Sequence, residues 1–405
     1  MNESFDVIVI GGGAAGMMSA ITAAECGARV LLAERNQMLG KKLSITGKGR
    51  CNVTNNSDNS NIMKNIPTNS RFLYSALAGF SAYDTIDFFE GLGVPLKTER
   101  GNRVFPVSDK ASDIVNALKD RMSALGVTVK TMRADRILTE SGAAVGVKCG
   151  KDSYYAPKII LATGGMSYPG TGSTGDGYKM PRALGHTVTE LKPSLVPVCT
   201  AQDCKPMMGL SLKNVTLSLK DIGGKVLYSE LGEMLFTHFG VSGPLVLSAS
   251  AFIKKGDSYT LEIDLKPALD EKKLDARILR DFSEAKNKQL STVMRKLLPE
   301  KLIDAVLTRA EVPADMRVNE ITKEQRKSLV AVLKSFSLTV SGLRPIEEAI
   351  ITDGGISVKE INPKTMESKL VSGLFFAGEI IDCAAYTGGY NLQIAFSTAR
   401  LAGQP

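Results

Sequence analysis

Two strand-to-glycine-to-helix junctions, one at each end of a 405-residue chain, and an average globular composition between them predict an α/β fold. The first junction is the more complete. Phe5 to Ile10 (FDVIVI) is a near-continuous apolar run, as expected of a parallel strand covered on both faces. It leads into GGGAAG (Gly11 to Gly16), then MMSAITAAEC at helical spacing, Gly27 as a helix stop, and ARVLLAE (Ala28 to Glu34) as a second strand. This is one βαβ unit of a Rossmann-like domain. Gly11 permits the tight turn, Gly13 lets the backbone approach a pyrophosphate, and Gly16 allows close helix–strand packing, while the helix N-terminus offers free N–H groups. Glu34, closing the second strand, is placed to accept hydrogen bonds from ribose hydroxyls and to repel a 2′-phosphate.

The second junction is GLFFAGE (Gly373 to Glu379), read as a buried strand, followed by TGGYNLQIAFSTA and a helix from about Asn391 to Ala402. Flavoproteins of the two-dinucleotide-fold type divide their cofactor in this way, the N-terminal unit taking the ADP half and a late strand plus helix taking the ribityl chain and ring. FAD is long enough to need both ends. The backbone N–H groups near Gly388, Gly389, Asn391, Leu392 and Gln393 are expected to face the flavin pyrimidine, where negative charge gathers on reduction. Two further glycine motifs lack the context that gives such motifs meaning. Gly170 to Gly175 matches G-x-G-x-x-G but follows Ser167 to Pro169 instead of a strand. There the strand is KIILATGG (Lys158 to Gly165), with Thr174 or Asp176 capping a helix through Leu184. Gly47 to Arg50 fails as a phosphate loop of the ATPase type, since no Ser or Thr follows Lys48.

Between the ends, helices are expected near 70–92 and 112–125, and alternating segments such as Val215 to Asp221 and Tyr259 to Leu265 suggest antiparallel strands. Residues 266–334 read as helical and basic, with 16 Lys+Arg against 11 Asp+Glu. The expected organisation is an FAD-binding domain from 1–190 and 340–405, a β-rich insert at 191–266 on the substrate side, and a helical domain at 267–339. The formal charge of +8 is mild for this length and fits anionic small ligands better than a dedicated nucleic-acid surface. Six cysteines form no CxxC pair and have no metal-ligand spacing with His186 and His238, so no metal site is expected. No apolar run approaches ~18 residues, and a cytoplasmic protein without a membrane partner is expected.

The segments GGGAAGMMSA, GKKLSITGKGRCNVTN (Gly40 to Asn55), FPVSDKASDIV (Phe105 to Val115), TGGMSYPGTGSTGDGY (Thr163 to Tyr178), GEMLFTHFGVSGP (Gly232 to Pro244) and the block from Ile351 to Gly403 together span most of the chain. In them the chain resembles the bacterial FAD-binding family that includes 3-dehydro-bile-acid delta-4,6-reductase and aminoacetone oxidase. The resemblance implies a Rossmann-like FAD domain built from both chain ends and interrupted by a β-rich and a helical domain. It extends the candidate cofactor residues to Ala14, Ala15, Arg35, Lys42, Gly49, Arg50, Cys51, Asn52, Thr163, Gly164, Gly378, Glu379 and Asp382. It implies reduction of an unsaturated small molecule, such as a 3-oxo-steroid or bile-acid enone, with NADH or NADPH as electron donor. No second nucleotide-binding βαβ unit is present, so nicotinamide is expected to dock transiently over the flavin. The alternatives are a flavin oxidase of a small amine passing electrons to O₂, and an RNA-directed flavoprotein with the 266–334 helices as its docking face.

The flavin carries the hydride chemistry, which leaves orientation, electrostatics and a proton donor to the protein. Three residues are candidates for direct catalytic roles. Tyr386 stands just before the late glycines. His238 is one of only two histidines, with a pKa near the working range. Arg50 belongs with Lys48 and Asn52 to a basic, glycine-flanked loop expected at the phosphates or at the ring edge near N5. Cys51 and Cys383 have no redox partner in sequence and are expected to pack as small residues.

Overall fold

In the computed structural model, which describes residues 4–254 and 256–405, the chain divides into two compact units. The first comprises the residues up to Ser194 together with Ile346–Pro405; the second is Leu195–Pro345.

The first unit is built on five parallel strands in the spatial order Leu374–Phe376, Lys158–Leu161, Val7–Ile10, Val30–Glu34, Thr128–Thr131. All four residues of Val7–Ile10 are buried, as their unbroken apolar run requires of a central strand. From this strand the chain first builds outward through Val30–Glu34 and Thr128–Thr131, then returns to lay Lys158–Leu161 on the other side. The order reverses between Val7–Ile10 and Lys158–Leu161, and open α/β sheets bind ligands outside the carboxyl ends of the strands at such a point. The helices Ala14–Glu25 and Tyr390–Gly403, from opposite chain ends, lie against each other. Ser19 donates to the Ala399 carbonyl at 3.3 Å, and Arg400 pairs with Glu25 at 2.5 Å.

The helix expected over 70–92 is broken. Short turns at Ser70–Leu73 and Tyr74–Gly79 precede Ala82–Gly91, because Ser81 stops the chain and recaps it. Its hydroxyl accepts from the Asp84 N–H while the Asp84 carboxylate accepts from the Ser81 N–H. The cap expected from Thr174 or Asp176 is also absent. Gly175 holds that position with φ +75°, and the segment starts as a 3₁₀ turn at Asp176–Tyr178 before Lys179–Ala183.

Among the described residues the second unit is a closed barrel of six strands with five α-helices, the first of them, Pro244–Ser250, lying between two barrel strands. The alternating segments appear as Ser211–Asp221 and Tyr259–Asp264, paired antiparallel with Leu219 opposite Leu261. The expected division at 266/267 does not separate two cores. The last barrel strand, Phe336–Leu343, follows the helices in sequence and pairs with Tyr259–Asp264. Helical residues such as Leu274, Ile278, Leu302 and Leu329 are buried in one cluster with Leu217, Leu261 and Phe336. The barrel takes its sixth strand from beyond the helices, and the helices pack into the same core. Among the described residues no helix is long and apolar enough to cross a membrane.

Candidate functional site

The first helix starts immediately after the glycine turn, with Gly13 as its N-cap, no capping side chain and no acid in its first turn. The positive end of the helix is therefore left for a ligand. The glycines here answer to different demands. A β-carbon on Gly16 would collide with the Gly11 carbonyl oxygen, so close packing requires that glycine. Gly13 has an ordinary φ of −82° and nothing within 4 Å of where a β-carbon would stand. The fold places no demand on Gly13; its bare backbone fronts open space at the helix N-terminus. Glu34 reaches back to this turn and accepts from the Gly12 N–H at 2.6 Å and from the Asn36 N–H at 2.8 Å. The Asn36 side-chain amide donates a third bond at 2.7 Å, and a carboxylate with about four lone-pair sites still has one left for a ribose hydroxyl.

The late junction meets the first one directly. Following Leu374–Phe376, a β-carbon on Gly378 would lie 2.6 Å from the Ala15 side chain, and the Gly378 N–H donates to Thr398 at 3.0 Å. Ala15 is buried and Ala14 half-buried beside it. Gly389, with φ +98°, caps the last helix, and a β-carbon there would run into the Thr54 backbone. The Gly388 carbonyl accepts from Asn55 at 3.0 Å. Asn391 turns back to bind the Ala385 N–H at 3.0 Å and the Ala385 carbonyl at 2.8 Å, which fixes the segment carrying Tyr386. The helix begins at Tyr390, one residue before the expected start, and the Gln393 N–H already bonds to the Gly389 carbonyl at 3.1 Å. The first-turn N–H groups open to a ligand thus stop at Leu392.

Several predicted cofactor residues spend their side chains on the protein. Gln393 is fully buried; it accepts from Thr54 at 2.6 Å and Thr85 at 2.9 Å and donates to Phe80 and Ser397. Arg35 pairs with Asp176 at 2.7 Å and also donates to the Gly172 carbonyl and to Thr174, holding down the second glycine motif. Lys42 and Glu379 pair with each other at 2.6 Å; Glu379 also accepts from Ser167 at 3.0 Å and the Thr352 N–H at 2.9 Å. Arg50 stacks over Phe105 at 4.2 Å and is held between Glu99 and Asp109, which raise its pKa. A guanidinium shared by two carboxylates brings little net charge to a ligand. The Asp382 carboxyl is pushed up by burial and by Asp353, and the Asp382 carbonyl accepts from Asn69 at 2.7 Å.

Two other predicted residues have the opposite character. Asn52 Oδ1 and Thr163 Oγ1 are buried without a hydrogen-bond partner among the described residues. Such orphans cost roughly 1–3 kcal/mol each unless something fills them. Asn52 ends a loop in which Gly47, Lys48, Gly49 and Cys51 all have positive φ, and Thr163 and Gly164 follow the strand beside the glycine turn. A run of left-handed residues that includes Lys48 and Cys51 is strain held in place by its surroundings, as at ligand sites. Burial pushes the Cys51 thiol up to about 12, so it stays protonated and packs as a small residue. His238 belongs to the second unit, exposed in the turn after Val226–Thr237 with Phe239 at 4.9 Å between ring centroids. It is not among the residues the Rossmann-like unit assembles.

A helix N-terminus behind a bare glycine, a carboxylate at the ribose position, a second helix N-terminus from the far end of the chain, and two unfilled polar atoms near them fit a dinucleotide flavin. These features define an FAD-dependent oxidoreductase. The family model described as "HI0933-like protein Rossmann domain" matches residues 5–405, and the chain belongs to that family. It is 31% identical to the ribosomal RNA dihydrouridine synthase of Haemophilus influenzae, over 98% of each chain. It is 29% identical to the 3-dehydro-bile acid delta(4,6)-reductase of Clostridium scindens, over 98% of this chain and 97% of the relative. Among solved structures, 3-ketosteroid delta1-dehydrogenase from Sterolibacterium denitrificans shares the fold, with a TM-score of 0.53 at 12% identity over 99% of this chain and 98% of that one.

Proposed function

We propose that this chain reduces a carbon–carbon double bond conjugated to a carbonyl, and that its substrate is a uracil base in ribosomal RNA. The observation that carries this reading is the end-to-end match to the Haemophilus influenzae ribosomal RNA dihydrouridine synthase. The bile-acid reductase relative supports the same bond chemistry. The uracil C5=C6 bond and a double bond beside a 3-oxo group are both polarised by a carbonyl, so each takes hydride at the β-carbon and a proton at the α-carbon. Charge alone ranks RNA behind a small molecule; the RNA-directed relative reverses that order.

When bound, FAD supplies the hydride, with NADH or NADPH as the source of electrons. The chain's own residues do the rest. The N–H groups of the first helix and Glu34 hold the ADP half. Asn52 and Thr163 give their unfilled oxygens to the cofactor, and Lys48 brings an exposed cation on a strained loop. Tyr386, on the segment clamped by Asn391, donates the proton. Reduction of a small enone is the second reading, favoured by the Clostridium scindens relative.

The test is anaerobic. FAD-loaded protein is mixed with NADH or NADPH, then with ribosomal RNA transcribed in vitro or with a 3-oxo-Δ4 steroid. Flavin reoxidation and a two-hydrogen mass gain in RNA uridine are the expected results. Reduction of the steroid with the RNA untouched would overturn the RNA reading.

A further inference from the structure

The surface of the helical segment in the second unit carries cations that the protein leaves unpaired. In the helix Glu271–Glu284, Leu274, Ile278 and Phe282 face the core; Lys272, Ala276, Leu279, Arg280 and Ser283 are exposed, as are the acids Glu271 and Glu284 at its two ends. The helix runs into a loop bearing the exposed Lys286 and Lys288. This loop lies antiparallel to 314–318: the Val318 N–H donates to the Lys288 carbonyl at 3.1 Å, and Gln289 bridges Arg317.

Four nearby acids are committed elsewhere, while the exposed Glu271, Asp315 and Glu320 lie beyond ion-pair distance of these cations. Glu284 pairs with Lys296 at 2.9 Å, Asp281 with Arg277 at 2.9 Å, Asp275 with Arg326 at 2.6 Å, and Asp270 caps the helix through the Lys273 N–H at 2.8 Å. Lys272, Arg280, Lys286, Lys288 and Arg317 have no acid within ion-pair distance among the described residues. Lys272 and Arg280 lie eight positions apart, roughly 12 Å along the axis at ~1.5 Å per residue.

We infer that this face docks the phosphodiester backbone of RNA, a surface that rests on the ribosomal RNA reading above. Long, mobile cations with no acid to satisfy suit a partner presenting repeated single negative charges at intervals, whose binding releases counterions. The face bears no exposed aromatic ring for base stacking; its one large apolar side chain is Leu279, at 43% exposure. The chemistry is therefore that of backbone contact, which positions RNA without reading its sequence. An acidic protein is the competing partner, and it would bind independently of RNA.

The experiment compares FAD-loaded wild type, Arg280→Gln/Lys286→Gln/Lys288→Gln, and a control of equal net charge, Lys119→Gln/Lys151→Gln/Lys364→Gln, whose three lysines are exposed on the first unit. Affinity for an in vitro ribosomal RNA transcript is measured by filter binding between about 50 and 200 mM salt, alongside FAD affinity. The face variant is expected to lose on the order of tenfold to a hundredfold in RNA affinity, with a salt slope shallower by about one per lost contact. FAD affinity should be unchanged in all three, and the control should stay within about twofold of wild type in RNA affinity.

Equal RNA affinity and slope in the face variant and the control would overturn the surface, even while dihydrouridine still forms. A wild type that binds no RNA and makes no dihydrouridine would instead sink the reading on which the surface rests.

Discussion

Gly11–Gly16 and Gly170–Gly175 share the G-x-G-x-x-G spacing but stand in different surroundings. The first sits between a buried strand and a twelve-residue helix, with open space in front of Gly13 and Glu34 drawn back to the Gly12 N–H. The second is a loop pinned from outside. Arg35 holds the Gly172 carbonyl, Thr174 and Asp176, and Gly172 has φ +110° with room for a β-carbon only 2.5 Å from Asn36. Since Asn36 in turn donates to Glu34 at 2.7 Å, the second motif buttresses the residue the first one uses. A spacing pattern does not define a binding site; the strand that feeds it and the groups that face it do.

Five substitutions test this contrast. The largest effect is expected for Gly16→Val, which drives a side chain into the Gly11 carbonyl and should cost more than about 4 kcal/mol. Loss of the cooperative thermal transition, or of soluble protein, is the expected outcome. Gly13→Val comes next and should leave the fold intact, since its backbone conformation suits any residue and its surroundings are empty. It should weaken FAD by about a hundredfold or more, the equivalent of one or two charge-assisted bonds at ~1.5–3 kcal/mol each. Calorimetric FAD titration beside the melting temperature of the apoprotein separates the two; an apoprotein as damaged as Gly16→Val would refute the division of labour drawn here.

Gly172→Val is expected to destabilise by about 1–3 kcal/mol through backbone strain and displacement of Asn36. Gly170→Val, open to space in the same motif, should stay within about 0.5 kcal/mol of wild type. Denaturant midpoints of the two variants measure the difference.

The smallest effect is expected at His186, outside both glycine motifs. His186 is buried, with Nε2 2.9 Å from the Ser368 hydroxyl and Nδ1 3.2 Å from Glu360. Because Ser368 already accepts from the N–H groups of Leu370 and Val371, its proton points to His186, which must be neutral to receive it. Burial lowers the His186 pKa against the opposing pull of Glu360. Unfolded histidine titrates near ~6.5, so below that pH the unfolded chain holds a proton the folded chain refuses. The stability contributed by neutral His186 is present above pH ~6.5 and is lost as pH falls through it. Thermal stability should drop between about pH 7 and 5 in wild type and drop less in His186→Gln.

What the sequence determined by itself was local. The strand Val7–Ile10, the glycine turn, Glu34 at its edge and the late glycine-to-helix junction are legible because periodicity, turn chemistry and short spacings govern them. The structure decided where long polar side chains go. Lys42 finds Glu379 from 337 positions away, Gln393 meets Thr54 and Thr85 from more than 300, and Arg35 crosses to Asp176. A flexible charged side chain takes whichever partner the fold brings within reach, and no spacing rule records that partner in advance. The barrel follows the same logic. The expected boundary at 339/340 cuts through the strand Phe336–Leu343, which pairs with Val198–Thr200 and Tyr259–Asp264 to complete the barrel whose core the helices share. Asn52 and Thr163 are ordinary polar residues in sequence; their buried, unfilled oxygens exist only once distant segments have shut out water around them.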